Sequence, residues 1–374
     1  MEKFNPGYFV SQNHYKSFQP SLINRQWHII NHEIITLLSQ ADRQLGRLDM
    51  FSNYVPNIDL FISMHILKEA TKSSKIEGTQ TNIEEALLDE KDIAPEKRDD
   101  WNEVQNYILA MQEAIGNLNN IPLSIRLIKQ THKVLLQGAR GEHKQPGEFR
   151  RSQNWIGGAS IQDAIFIPPV HTSVPDLMSD LERFIHNEDL RIPELIKIAI
   201  LHYQFETIHP FLDGNGRIGR LLITLYLVQK EILKQPILYL SDFLERNRQI
   251  YYDNLMLVRK KHDLQQWIKF FLVGIIETAK SSIETFENIL QLKTETENLT
   301  LSKGSRSGAI QKVLEYLYNK PVITAGIVSS ITKQSIATSY SIVSDMEDLG
   351  ILREVTGGKR NRSYLFLKYL NLYR

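Results

Sequence analysis

His209-Pro210-Phe211-Leu212-Asp213-Gly214-Asn215-Gly216-Arg217-Ile218-Gly219-Arg220 is the stretch on which the reading of the fold turns. Upstream of it, PELIKIAILHYQFETI (193–208) is apolar at helical spacing; downstream, RIGRLLITLYLVQKEI (217–232) repeats the pattern, so a short turn joins two helices. An Asp-Gly-Asn-Gly turn leaves the first N–H groups of the second helix without intrahelical partners, beside a positive dipole end, and such a nest binds phosphate. Arg217 and Arg220, three residues apart, share one helix face as mobile cationic clamps for further phosphate oxygens. Asp213 suits a Mg²⁺ shared with phosphates, and His209 offers a base. A glycine-rich turn alone says little, and a lone histidine after an apolar helix is more often structural. The conjunction decides, because cations and glycines at a buried helix junction cost stability.

The rest of the 374 residues is ordinary in composition: 42% hydrophobic, 23% charged, formal net charge +1. This excludes a disordered or collagen-like chain and predicts two or three domains. With no cysteine, disulfides, thiolate nucleophiles and Cys-based metal sites are excluded. No long apolar run and no basic-then-apolar start occurs, so a cytoplasmic protein without membrane contact is expected. The remaining histidines show no dense ligand spacing, and no zinc site is expected.

Residues 20–300 carry apolar positions at three- and four-residue spacing and are expected to be mainly helical, with Thr81 and Glu84 as a capping box. Between Pro146 and Pro169, turn-formers mix with Trp155, Ile156, Ile165, Phe166 and Ile167; a short hairpin is expected, with Gly157 and Gly158 near its turn. QLKTETENLTLSKGSRSG (291–308) is polar and reads as a linker. Beyond it come three helical segments (one with Val313, Leu314, Tyr316 and Leu317, then Val322 to Ile331 and Ser335 to Leu349) and two strands around a Gly-Gly-Lys-Arg-Asn-Arg tip.

The twelve-residue stretch matches the Fic motif, His-x-Phe-x-(Asp/Glu)-Gly-Asn-Gly-Arg-x-x-Arg, at every specified position, and the chain resembles that family. The resemblance implies transfer of AMP from ATP to a Ser, Thr or Tyr hydroxyl of a target protein and of the chain itself. His209 would be the general base, Phe211 a core anchor and Asp213 the Mg²⁺ ligand. Gly214, Asn215, Gly216, Arg217, Ile218, Gly219 and Arg220 would bind the phosphates of ATP. The hairpin resembles the Fic flap, with Ala164, Ile165 and Phe166 covering the nucleotide. Tyr251 and Tyr252 resemble an adenine-side pair, and Arg259 stands where some relatives have an asparagine. Ser73, Glu77 and Gly78 resemble the inhibitory motif (Ser/Thr)-x-x-x-Glu-(Gly/Asn): the Glu77 carboxylate would bind Arg220 bidentately and take the cation the γ-phosphate needs.

The expected fold is thus mainly α: a helical N-terminal region (1–109) with an inhibitory helix at about 60–78, a Fic bundle with a β-hairpin flap (110–280), a helix end and linker (281–308), and a C-terminal winged helix-turn-helix (309–374). Residues 303–374 hold 11 Lys and Arg against 5 Asp and Glu, which makes DNA a candidate partner, with Lys359, Arg360 and Arg362 at the wing. A Fic core often dimerises, so a homodimer is a candidate assembly. The expected activity is a self-inhibited protein adenylyltransferase. Two readings stand beside it: AMP removal or transfer of another phospho group by the same site, and a DNA-binding regulator whose Fic core senses nucleotide.

Overall fold

The computed structural model describes residues 4–28, 31–54, 58–138, 140–357 and 362–374. The chain opens with an antiparallel hairpin, β1 (Gly7–Ser11) and β2 (Lys16–Pro20), outside the helical expectation. In β2 the aromatic ring of Phe18 is fully buried; the Phe18 N–H donates to Ile167 O at 2.9 Å and the ring lies 5.8 Å from that of Phe166. The hairpin therefore braces the segment expected to be a flap.

Five helices follow: α1 (His32–Tyr54), α2 (Ile58–Ile76), α3 (Ile83–Leu87), α4 (Arg98–Asn117) and α5 (Ile125–Leu135). The capping box of α3 sits one residue later than expected. Asn82 accepts from Glu85 N, and the Glu85 carboxylate accepts from Asn82 N, while Thr81 is buried. The bundle continues with α6 (Val174–His186), α7 (Glu194–Ile208), α8 (Asn215–Gln229), α9 (Ser241–Arg246), α10 (Arg248–Lys261) and α11 (Leu264–Leu301). Every residue of α7 from Leu195 to Ile208 is buried, as an all-round apolar helix must be, and α1, α6, α8 and α11 pack around it. This central helix delivers His209 at its C-terminus. Among the described residues no helix is long and apolar enough to cross a membrane.

Two expectations need correction. The hairpin at 146–169 is not a ladder: a single antiparallel bridge joins Ile156 to Phe166, and Gly157 and Gly158 both adopt positive φ beyond it. Pairing stops there because left-handed residues cannot continue a strand. The linker at 291–308 is largely helix, since α11 runs unbroken to Leu301. Its polar residues hide a four-residue stripe, Leu292, Thr296 and Thr300, that is buried, and Thr296 Oγ1 bonds to Tyr318 OH at 2.9 Å. Only a turn and Gly304–Arg306 separate α11 from the next unit.

That unit contains α12 (Ser307–Asn319), β3 (Val322–Thr324), α13 (Ala325–Thr332), α14 (Ile336–Asp348), β4 (Arg353–Glu354) and β5 (Ser363–Leu365), with sheet order β3-β5-β4. The second expected helix thus starts three residues late: Val322 to Thr324 pair with β5, and Thr324 caps α13. Lys359 and Arg360 lie outside the described residues, while Arg362 borders β5. A last short helix, α15 (Leu367–Leu370), turns the chain back onto α2. Phe61 of α2 packs edge-on against Tyr318 (5.7 Å) and Tyr369 (6.5 Å), and His65 lies 5.0 Å from Tyr373. The C-terminal unit is therefore seated on α2 by an aromatic cluster.

Phe61→Ala empties the centre of that cluster and is expected to cost about 3–5 kcal/mol. A lowered urea midpoint checks this; an unchanged midpoint contradicts the packing.

Candidate active site

The loop after α7 begins with a residue in an uncommon conformation: His209 has φ 50° and ψ 61°. A left-handed non-glycine residue costs on the order of 1–3 kcal/mol and persists only where its surroundings over-determine it. Here its N–H donates to Phe205 O (2.9 Å), and its carbonyl accepts from Arg150 Nε (2.9 Å) and Asn154 Nδ2 (3.4 Å). Arg150, buried, also donates to Ser152 O, Pro169 O and Ile208 O, so one guanidinium ties His209 to the segment before Pro169. The His209 ring is pushed down to about 3, first by burial and then by Arg150, with Glu77 opposing. It is neutral at pH 7, and its Nδ1 has no partner among the described residues.

Phe211 is fully buried and stacks on the His132 imidazole at 3.7 Å and 9°. His132 in turn accepts from Gly147 N (2.8 Å) and bonds to Asp213 O (3.0 Å), which fixes the turn. The Asn215 side chain closes it from within, accepting from Phe211 N and donating to Phe211 O, both at 2.8 Å. Its amide is thus committed to the loop, and only the backbone of Asn215 belongs to the nest of first-turn N–H groups. Ile218 is core, and Gly219 packs inside the protein; neither side contributes a polar atom toward a phosphate.

The two arginines are not mobile clamps. Arg217 is buried and donates to Glu103 Oε2 of α4 at 3.1 Å, with Asp213 Oδ1 at 3.5 Å. Arg220 is buried against α2: its Nε donates to Ser73 Oγ (2.8 Å), and its Nη2 donates to Ser73 O (2.9 Å) and Glu77 Oε1 (2.6 Å). The expected pairing is present, but through one carboxylate oxygen rather than two, because Ser73 occupies the rest of the fork. Burial would raise the Glu77 carboxyl, yet Arg220 holds it below the usual carboxylate range. About a third of the side chain (35%) stays exposed, so water screens the pair. Gly216 permits the approach: a Cβ there would stand 2.2 Å from Glu77 Oε1. Gly78 follows with φ +109°.

Beside Glu77 and Arg220 opens a cavity of about 500 Å³, within the range of small-molecule sites. His209, Gly216, Arg220, Tyr251, Tyr252 and Arg259 line it, and Trp155, Ile165 and Phe166 form its flap side. Ala164 is not among its walls. Tyr251 is buried with its OH on His202 Nε2 (3.0 Å), so it offers a ring face, while Tyr252 is partly exposed. Arg259 lies 3.8 Å above the Phe166 ring and donates to Thr207 Oγ1 and Glu206 O, which pins the flap to α7. Asp213, half-exposed at the mouth of α8, presents a single carboxylate. Mg²⁺ keeps several waters and takes one or two carboxylates plus phosphate oxygens, so Asp213 fits that ion without further protein ligands. Among the described residues no group of three or more His, Asp or Glu side chains is placed around a metal ion.

Comparison with known proteins agrees with this geometry. Residues 35–116 match the Fic/DOC family N-terminal model, and residues 122–227 match the Fic/DOC family model. The protein adenylyltransferase Fic of Drosophila melanogaster is 35% identical over 136 residues, which is 35% of this chain and 25% of the relative. That of Aedes aegypti is 29% identical over 175 residues, 44% of this chain and 31% of the relative. The chain thus spans about a quarter of the length of the first curated relatives it matches. A Fic family protein from Desulfovibrio desulfuricans G20 superposes with TM-score 0.59 at 19% identity, covering 91% of this chain and 98% of that one. Fic-1 from C. elegans gives 0.52 at 20% identity, covering 70% and 74%. Fold and site together define a helical protein of the Fic class. The chain belongs to the Fic/DOC family.

Burial also holds His132 and His202 neutral, each down to about 4. In the unfolded chain these histidines and His209 take up protons near 6.5. The unfolded state therefore binds more protons below that pH, and stability falls as pH drops from 6.5 toward 4. Melting temperatures between pH 7.5 and 5 should decline accordingly; a flat profile would contradict three buried neutral imidazoles.

Proposed function

We propose that the protein is an adenylyltransferase that moves AMP from ATP to a hydroxyl side chain of a target protein, and that Glu77 restrains it. The observation that carries this reading is the neutral His209 at a nucleotide-sized cavity whose phosphate-side arginine, Arg220, is paired to Glu77. The target hydroxyl oxygen attacks the α-phosphorus, the bond from that phosphorus to the bridging oxygen breaks, pyrophosphate leaves, and the hydroxyl proton passes to His209. A ring already protonated could not accept it. The backbone nest at Gly214–Gly216 holds phosphate oxygens, and Arg220 meets the terminal phosphate once Glu77 has turned away. Asp213 would hold Mg²⁺, which when bound offsets phosphate charge. The flap residues Ile165 and Phe166 cover the nucleotide, and the exposed rim of the flap presents the target segment.

The order of elements in the C-terminal unit supports a winged helix, which we propose as its architecture. Its α14 exposes Ile336 and Tyr340 rather than cations, and its Asp345 is held by Lys303 and Arg306. That surface favours a protein partner over DNA.

Intact-mass analysis of Glu77→Gly after incubation with ATP and Mg²⁺ tests the main reading. One added AMP is expected in Glu77→Gly, little in the wild type and none in Glu77→Gly/His209→Ala. Equal modification of wild type and Glu77→Gly would remove Glu77 from its role, and modification without His209 would remove the base.

A further inference from the structure

The central helix α7 carries six polar side chains in its buried stretch from Lys197 to Thr207. Four of them have partners. Lys197 Nζ donates to Asn187 O (3.1 Å), His202 bridges Gly219 O and Tyr251 OH, Gln204 Nε2 donates to Ser21 O (3.0 Å), and Thr207 Oγ1 donates to Tyr203 O (2.8 Å). Tyr203 OH and Gln204 Oε1 also lack a partner among the described residues, but neither residue lines the cavity; Glu206 is the exception. It is buried, it lines the cavity, and its Oε1 has no hydrogen-bond partner among the described residues.

An unpaired buried carboxyl is costly, and the surroundings deepen the cost. Burial pushes Glu206 up to about 7; Arg220 and Arg259 pull it down, while the Glu77 carboxylate pushes it up again. The fold also makes room for it. A Cβ on Gly219 would lie 2.1 Å from Glu206 Oε1, so a glycine is kept inside α8, where alanine would be the better helix former. Two local sacrifices, an unsatisfied carboxyl and a mid-helix glycine, serve one oxygen. Such violations of local rules concentrate where a ligand supplies the missing partner.

The position says which part of a ligand that is. Phosphates belong at the first turn of α8, with Gly216 and the N–H nest. Gly219 is one turn further along, and Glu206 faces it on the side of Tyr251, Arg259 and Phe166. A carboxyl oxygen repels phosphate and accepts from O–H or N–H groups.

Resting on the adenylyltransferase reading, we propose that Glu206 is a specificity-determining acceptor for the nucleoside half of the bound nucleotide, receiving a hydrogen bond from a ribose hydroxyl or from a base amino group. A site built to satisfy a buried polar group discriminates strongly against ligands that lack the donor, because the group is then left unpaired. The family motif does not specify this position; the argument stands on the orphaned oxygen and the glycine opposite it.

The test measures nucleotide binding by calorimetry, with Mg²⁺, in Glu77→Gly and in Glu77→Gly carrying Glu206→Leu or Glu206→Gln, together with the melting temperature of each. ATP binding by Glu77→Gly itself checks the underlying reading: if ATP does not bind there, that reading fails independently of Glu206. Where it binds, Glu206→Leu is expected to weaken ATP at least tenfold while raising the melting temperature, because an unpaired buried carboxyl is gone. Glu206→Gln, which keeps an acceptor oxygen, is expected to stay within about threefold of the parent. Comparison of ATP with 2′-deoxy-ATP, 3′-deoxy-ATP and inosine triphosphate locates the donor. The analogue lacking the group read by Glu206 binds Glu77→Gly weakly and loses little more in the leucine variant. Unchanged ATP affinity in Glu206→Leu, an equal loss for all four nucleotides, or a lower melting temperature in both variants overturns the proposal.

Discussion

The guanidinium of Arg220 is buried almost completely, and a buried cation must be paired at all times. Much of the architecture follows from that requirement. Ser73 supplies a hydroxyl and a carbonyl, and Glu77 supplies the charge. Glu69, also buried on α2, is held by Tyr107 OH and by Ser241 N and Oγ. To bring these groups to α8, helix α2 must lie across the bundle, and Gly216 must carry no side chain. The loop at Gly214–Gly216, His209 and the segment carrying Phe166 are then arranged around a cation whose position is already fixed.

The same helix is fixed at its other end. Phe61 and His65, three and two turns before Ser73, lie in the aromatic cluster formed by Tyr318, Tyr369 and Tyr373 of the C-terminal unit. Ser63 Oγ donates to Asn319 O at 3.0 Å on the same side. Helix α2 thus connects two packed regions, and α11 connects them a second time through Leu292, Thr296 and Thr300. The C-terminal unit is built into the body of the protein rather than suspended from a linker.

The α7–loop–α8 unit was legible in the sequence because twelve consecutive residues carry it; four-residue helical spacing puts Ser73 and Glu77 on one face, but their meeting with the distant Arg220 was expected only from the resemblance to the family's inhibitory motif. What stayed hidden depends on contacts between distant segments. Arg150 reaches Ile208 and His209, His132 stacks under Phe211, and Glu103 pairs with Arg217, each from a separate element and without a local pattern. The buried stripe of α11 was masked by threonines, which look polar in composition yet bury a methyl and satisfy the hydroxyl on the preceding turn, as Thr296 does on Leu292 O. Mobility was misjudged for the same reason: Arg217 and Arg220 look like surface cations until their carboxylate partners arrive from α4 and α2.

The division of labour on Arg220 bears on how a site of this kind can open. Ser73 holds two of its three contacts from a buried position in the last turns of α2, a helix whose other end is locked in the aromatic cluster. Glu77 lies just past the helix end at Ile76, contributes one contact, keeps a third of its side chain in water and is followed by a glycine with positive φ. Turning Glu77 away leaves the buried cation in need of a replacement anion but moves a single side chain, whereas moving α2 would in addition break a buried aromatic cluster whose members are each worth about 3–5 kcal/mol. Release of Arg220's charge partner is therefore far easier by turning the Glu77 side chain outward just past the helix end than by displacing the helix. The serine would remain to orient the guanidinium while its charge becomes available to an anion in the cavity.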